Sequence, residues 1–229
     1  YKAAVKWHTL AAEQGLSNAQ YNLGYIYANE FGVPQDYKKA VKWLRLSAEQ
    51  GLYNAQYTLA VMLMMGQGVP QDYKTATELF SAAASQGFTL AQHNLARMYF
   101  DGLGVEKDYK AAVDWWTQAA EAGMKEAQFS LATMYMNGQG VKQDDELTFK
   151  WTKLAAEQGV PSAQRNLGVF YGDGIGVPKN LVQALMWGLV ASYQGDNNQA
   201  LIKGLEKKMS SAEINQASKL SNLCLAKNY

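Results

Sequence analysis

Few residues of this 229-residue chain have the types and spacing that catalysis or metal binding requires. The two histidines, His8 and His93, lie far apart, and neither has a histidine or cysteine neighbour at ligand spacing. Metal sites usually draw several such ligands from one or two short segments. The single cysteine, Cys224, can form neither an internal disulfide nor a thiolate cluster. The sequence therefore predicts no metal site, and no cofactor is expected.

Glycine triplets such as GQG (66–68) and GLG (102–104) superficially resemble phosphate-binding loops. They lack the lysine and hydroxyl residue of the GxxxxGK[ST] pattern, and they recur at a fixed interval, so we interpret them as turns. The segment DGIG (173–176) lacks the remaining oxygen ligands of a calcium loop. A GxSxG nucleophile motif is also missing from the sequence. The chain is therefore predicted not to be an enzyme.

The composition is typical of a folded globular protein with enough apolar residues for a core. Hydrophobic residues make up 48% of the chain, and the formal net charge is +1. This balance argues against nucleic acid as a partner, because phosphate-binding surfaces carry excess Lys and Arg. No apolar run approaches the ~20 residues of a membrane span, so no transmembrane segment is expected.

A repeat of 36 residues organises the sequence. The segment AEQGLSNAQY (12–21) returns as AEQGLYNAQY at 48–57. The same interval separates glycines at 15, 51, 87, 123, 159 and 195, and Gly-Val pairs that begin at 32, 68, 104, 140 and 176. Further columns hold Leu23 with its counterparts and the Ala-Gln pairs that begin at 19, 55, 91, 127 and 163. Such periods indicate stacked repeats, in which each unit forms the packing surface of the next.

Each repeat contains two helical patterns, here called helix A and helix B. In NAQYTLAVMLMM (54–65), apolar residues recur at the spacing of one helix face, which predicts helix A. A Gly- and Pro-rich turn follows, and YKKAVKWLRLSAEQ (37–50) predicts helix B. Asp36 and its counterparts precede helix B as N-cap residues, and Gly51 and its counterparts end it. We place the column Trp43, Trp115, Trp151 and Trp187 in the core between helices.

The segment AQRNLGVFYGDGIGVPKNLVQALMWGLVASYQG (163–195) resembles the Sel1-like repeat (SLR) family, which is related to tetratricopeptide repeats. The similarity covers residues 1 to about 196. Local departures are Leu79 in place of Trp, Leu63 in place of Tyr and Glu30 in place of Gly. The resemblance implies an all-α, right-handed superhelical solenoid with the A helices on its concave side. Some family members have been linked to β-lactam binding or hydrolysis, but an SxxK motif is missing here.

We predict a single repeat domain over residues 1–229. It comprises a leading helix B (1–16), five full repeats (17–196) and C-terminal capping helices (197–229). The last helix B carries an apolar stripe where earlier repeats have charged residues, namely Val182, Met186, Leu189 and Tyr193. We expect the tail to cover this stripe, and a dimer contact is the alternative.

One face of helix A varies from repeat to repeat while the packing columns stay fixed, and we predict that it forms a peptide-binding groove. Aromatic residues and methionine, which favour recognition surfaces, are frequent on it. The candidate residues are Tyr21, Asn22, Tyr25, Tyr57, Val61, Met64, His93, Asn94, Arg97, Phe100, Phe129, Thr133, Met136, Arg165 and Asn166. Alternatively, the aromatic column packs between neighbouring A helices, and Arg97 and Arg165 are solvated charges.

These observations predict a scaffold that binds another protein or an extended peptide, with apolar groups on the groove and an acidic group at Arg97 or Arg165. The resemblance suggests that Asn22, Asn94 and Asn166 bond the peptide backbone. A hydrolase of cell-wall or β-lactam-like molecules and a purely structural spacer are the rival functions. A monomer is favoured. The opening YKAAVKW falls mid-pattern, which suggests a missing natural start, and the resemblance to exported bacterial proteins favours a periplasmic or secreted location.

Overall fold

The computed structural model describes the backbone of residues 2–226 and the side chains of residues 5–226. These residues form thirteen α-helices and no strand, which confirms the all-α prediction. Contacts divide the chain into two compact units, Tyr1–Trp115 and Trp116–Tyr229, and each is described by itself.

The helices alternate as the repeat predicts. The A helices are α2 (Ser17–Ala28), α4 (Tyr53–Met65), α6 (Thr89–Asp101), α8 (Lys125–Asn137) and α10 (Pro161–Asp173). The B helices are α1 (Lys2–Glu13), α3 (Tyr37–Glu49), α5 (Tyr73–Ser85), α7 (Tyr109–Glu121), α9 (Asp145–Glu157) and α11 (Leu181–Tyr193). Two further helices follow, α12 (Gln199–Glu206) and α13 (Ser211–Leu225).

The predicted caps fix where the B helices begin. The Asp36 carboxylate accepts a hydrogen bond from the Lys39 backbone N–H at 2.9 Å, and Asp72 accepts one from Thr75 at 3.0 Å. The same bond recurs at Asp108, Asp144 and Asn180. The bond from the Lys39 backbone is the main reason that the pKa of Asp36 lies below its usual range. The predicted N-caps are therefore confirmed.

In the first unit, α1 to α6 pack in chain order around a core that includes Leu59, Phe80 and Met98. Trp43 and Trp115 are half-buried and pack against the core clusters from their edge, so the predicted core position is confirmed only in part for these two. An indole is large enough to reach the surface from a core-facing position. The Nζ atom of Lys42 lies 5.4 Å from the centre of the Trp43 ring, at the exposed side of α3.

In the second unit, α12 and α13 pack on α11 as the tail prediction requires. Met186 is 7% exposed, and Val182 and Leu189 pack in the same cluster as Ile202 and Leu205 from α12. The Ser210 hydroxyl and the Glu213 carboxylate cap α13 reciprocally. Tyr193, at the end of α11, is 74% exposed, so the tail covers the stripe except at Tyr193.

The tryptophans of α9 and α11 are buried in this unit. Trp151 is 7% exposed and Trp187 is 6% exposed, in agreement with the predicted core position. The neighbour of the half-buried Trp115, Trp116, is 4% exposed. The tryptophan column is therefore buried at two of its four positions, and the indole of Trp116 lies in the core instead.

The Ala-Gln pairs owe their constancy to buried hydrogen bonds between helices. The Gln20 side chain donates to the Ala12 carbonyl of α1 at 3.1 Å and accepts from the Gln50 side chain at 2.7 Å. Equivalent bonds from the glutamines at 56, 92, 128 and 164 reach the preceding B helix. A buried amide needs such partners, so the repeat keeps the glutamine.

Candidate binding face of the A helices

The A helices of the first unit present a face with almost no charge. Helices α2 and α4 contain no Asp, Glu, Lys or Arg, whereas α3 between them contains five such residues. All ten candidate residues of this unit are half-buried or exposed. They are Tyr21, Asn22, Tyr25, Tyr57, Val61, Met64, His93, Asn94, Arg97 and Phe100. Interface centres are similarly poor in charge and rich in aromatic residues and methionine.

Polar contacts join neighbouring A helices across this face. The Thr58 side chain of α4 interacts with the Tyr21 hydroxyl of α2. One repeat later, the Asn94 amide of α6 donates to the Tyr57 hydroxyl of α4 at 3.3 Å. Partial burial is the main reason that the pKa of Tyr21 lies above 10.0. The tyrosine column therefore packs between A helices, as the alternative interpretation proposed, and also lines the face.

Arg97 is the cation of this face. Its side chain is exposed and forms no ion pair with any carboxylate of the described residues. Beside it on α6, His93 and Phe100 are half-buried, and the Phe100 ring lies 5.3 Å from the Tyr109 ring. A guanidinium beside aromatic rings can form bidentate hydrogen bonds with a carboxylate.

The second unit carries the remaining candidates, which are half-buried or exposed. They are Phe129, Thr133 and Met136 on α8 and Arg165 and Asn166 on α10. The Arg165 guanidinium lies 3.1 Å from a carboxylate oxygen of Asp196, whose side chain is 8% exposed. The sequence does not reveal this pair, because Asp196 lies 31 residues after Arg165, in the turn that follows α11.

A cavity of about 400 Å³ opens between α2 and α4 in the first unit. Its lining comprises Tyr25, Ala28, Asn29, Tyr37, Tyr57, Thr58, Val61, Met62 and Gln67. No lining residue carries a charge, and three of them are tyrosines. Tyr25 and Tyr57 are candidates predicted from the sequence, whereas Tyr37 is not, because it belongs to a B helix.

The described residues contain no cluster of His, Cys, Asp or Glu that could hold a metal ion. None of the described helices is both long enough and apolar enough to cross a membrane.

A family model named Sel1 repeat matches the chain six times, at residues 1–16, 17–52, 54–88, 89–124, 125–160 and 161–196. The chain belongs to the Sel1 repeat family. The matches follow the helix pairs described above, and Sel1 repeats form a scaffold for protein interactions.

Solved Sel1 repeat structures are similar over most of this chain. One is a protective antigen of uropathogenic Escherichia coli with an SLR fold, at 38% identity and a TM-score of 0.85. A Sel1 repeat protein of Oxalobacter formigenes has 34% identity and a TM-score of 0.76. The first comparison covers 97% of this chain and 48% of the antigen. The second covers 90% of this chain and 59% of the Oxalobacter protein, so this chain spans about half of each relative.

A more distant structure supports the fold alone. A putative Sel1 repeat protein of Klebsiella pneumoniae has 23% identity and a TM-score of 0.51, with 93% of this chain and 99% of that chain covered. A search of curated proteins found no match.

Proposed function

We propose that this Sel1 repeat chain is a non-catalytic scaffold that binds an extended polypeptide on the A-helix face of its first unit. Apolar side chains of the polypeptide would contact Tyr57, Met64 and Phe100, and a carboxylate would bind Arg97. The family supports a general role in protein interaction, and the scarcity of charge on α2 and α4 supports this location for it.

The observation that carries this proposal is the uneven distribution of charge between α3 and the two A helices beside it, α2 and α4. Five charged residues lie on α3, but none lies on α2 or α4. A surface that contacts only water has no reason to lack charge and to expose large apolar side chains. Here the Tyr25 side chain is 43% exposed and the Met65 side chain 57% exposed. Arg97 then stands as an unpaired cation at the edge of an uncharged surface.

Arg165 is a weaker candidate for the carboxylate, because Asp196 already occupies part of its hydrogen-bonding capacity. A partner would first have to replace that bond and leave a nearly buried carboxylate without its cation. Such a loss is costly, since an unpaired buried charge is destabilising. The proposal therefore assigns the carboxylate to Arg97.

The test begins with a display library of extended decapeptides selected against the full chain, followed by calorimetry with the selected peptide. A hydrogen bond to a charged group contributes ~1.5–3 kcal/mol. We therefore expect Arg97→Ala to weaken binding on the order of tenfold or more, and less so at high salt. Arg45→Ala is the matched control, because Arg45 is an exposed arginine on α3 of the same unit.

Equal losses for Arg97→Ala and Arg45→Ala would move the site away from the A-helix face. Urea unfolding of both variants is measured beside the binding data, since neither side chain belongs to the core and both proteins should keep the wild-type midpoint.

A further inference from the structure

Glu30 occupies a position that disfavours it in two ways. It follows the end of α2 with a φ of 60°, and it is the one residue other than glycine with a positive φ in the described chain. The equivalent residues are Gly66, Gly102, Gly138 and Gly174. An L-residue loses stability in this left-handed conformation. A carboxylate at a helix C-terminus also meets the negative end of the helix dipole.

Strained backbone positions concentrate at functional sites. The cavity between α2 and α4, which three tyrosines line, lies close to Glu30 in the chain. Asn29 lines the cavity, and the Phe31 ring lies 5.9 Å from the ring of Tyr25, which also lines it. Glu30 lies between Asn29 and Phe31 in the chain. The strained residue therefore directly follows a lining residue of the aromatic cavity in the chain.

Three features of the cavity favour a positive group. Tyr25, Tyr37 and Tyr57 line it, and the π-electron system of an aromatic ring attracts cations. Ala28 and Asn29 lie at the C-terminal end of α2, where carbonyl groups carry partial negative charge. No Lys or Arg lies among the described lining residues to repel or replace a cation.

A lysine of the same unit already makes both kinds of contact, with a tyrosine ring and with a carboxylate. The Nζ atom of Lys39 lies 5.3 Å from the centre of the Tyr27 ring and 3.2 Å from a carboxylate oxygen of Asp36. An ammonium group is thus held between a tyrosine ring and a carboxylate. The cavity is lined by tyrosine rings and by Asn29, and the next residue, Glu30, forms no ion pair among the described residues.

We infer that this cavity binds the guanidinium or ammonium group of an Arg or Lys side chain on the partner polypeptide, with Glu30 as the counter-charge. The identity of the carrier rests on the proposed function. Arg97 lies on α6, the A helix that follows the two A helices bordering the cavity, so a basic residue in the cavity and an acidic residue at Arg97 can belong to one extended segment of the partner.

The first experiment uses a blocked Gly-Arg-Gly peptide and its citrulline counterpart, which has the same shape without the charge. Both are titrated into the isotope-labelled full chain, and backbone amide shifts are followed by NMR. The arginine peptide should shift the amides of residues 25–31 and 57–62, and the citrulline peptide should not. Equal shifts from both peptides, or none in these segments from the arginine peptide, would overturn the inference.

Variants then separate charge, ring and backbone strain. Tyr25→Leu should weaken arginine-peptide binding about three- to fivefold, whereas Tyr25→Phe keeps the π face and should retain the wild-type affinity. Glu30→Gln should weaken binding about threefold, and Glu49→Gln on α3 is the matched control. Glu30→Gly should raise the urea midpoint, because it removes the strain, and should also weaken the binding. Unchanged affinity in Glu30→Gln and Glu30→Gly, or equal loss in Glu49→Gln, would refute the role of Glu30.

The small peptide also separates this inference from the function proposed above. It has no acidic group, so Arg97→Ala should leave its affinity unchanged. Binding of the arginine peptide without any effect of Arg97 on a selected decapeptide would reject the carboxylate site and keep the cation site. If Arg97→Ala weakens binding of the decapeptide but the arginine peptide does not bind, only the cation site is rejected.

Discussion

The turn between α6 and α7 offers a test of why this turn contains two glycines. Gly102 and Gly104 have similar positive φ angles of 73° and 71°. A Cβ atom on Gly102 would lie 3.3 Å from the Cβ atom of Lys107, slightly closer than an ordinary van der Waals contact. A Cβ atom on Gly104 would instead overlap the backbone carbonyl of Tyr73 at the start of α5. The second glycine therefore permits the turn to approach the preceding B helix.

The expected magnitudes follow from these geometries. A left-handed L-residue costs about 1–2 kcal/mol, of which about 0.4–1 kcal/mol is offset because alanine restricts the unfolded chain. Gly102→Ala should therefore destabilise by about 1 kcal/mol, and Glu30 shows that this position of the repeat accepts a side chain. Gly104→Ala adds an overlap with fixed backbone, and overpacking costs about 1–3 kcal/mol more. We expect a total of about 3 kcal/mol for Gly104→Ala.

Urea unfolding of the full chain, followed by circular dichroism, measures both variants. Gly87→Ala is the matched control, because Gly87 has a φ of 83° and a Cβ atom there would meet nothing within 4 Å. Hydrogen exchange of the α5 amides adds a local readout in case the repeats unfold separately. If Gly104→Ala loses no more stability than Gly87→Ala, the turn does not depend on close approach and the reasoning fails.

Three further predictions concern stability. Trp151→Ala should lower the free energy of unfolding by about 3–5 kcal/mol, and Trp115→Ala by roughly half of that, because Trp115 is only half-buried. Equal losses for the two variants in urea unfolding would contradict the burial argument. The hydrogen bond from the Thr75 side chain is the main reason that the pKa of Asp72 lies below its usual value of 3.8. The stability that Asp72 gains over Asp72→Asn should therefore be full above 3.8 and fade as pH falls through the lower folded-state pKa, in urea titrations at stepped pH. Deleting residues 210–229 should expose the apolar stripe around Met186 and cause aggregation in light scattering, whereas a monomeric product would show that the tail is dispensable.

Much of the fold follows from the sequence because the signals are local and recur at one interval. Apolar spacing gives the helices, Asp36 and its counterparts give their beginnings, and the glycine columns give the turns. The tail could also be assigned, because an apolar stripe on α11 requires a cover and only two further helical patterns remained. Glu30 was visible as a departure from a glycine column, although its significance needed the backbone angle and the neighbouring cavity.

For the candidate face, the sequence and the tertiary structure determine different properties. Sequence variation selected the residues that are half-buried or exposed, since positions fixed by packing cannot vary between repeats. Which of them are engaged depends on partners 30 or more residues away, as with Tyr57 and Asn94 or Arg165 and Asp196. The burial of Trp116 rather than Trp115 likewise depends on how α7 packs. Local periodicity therefore determined the helices and their exposed face, while only the tertiary structure decided which charges are paired, which rings are buried and where a cavity opens.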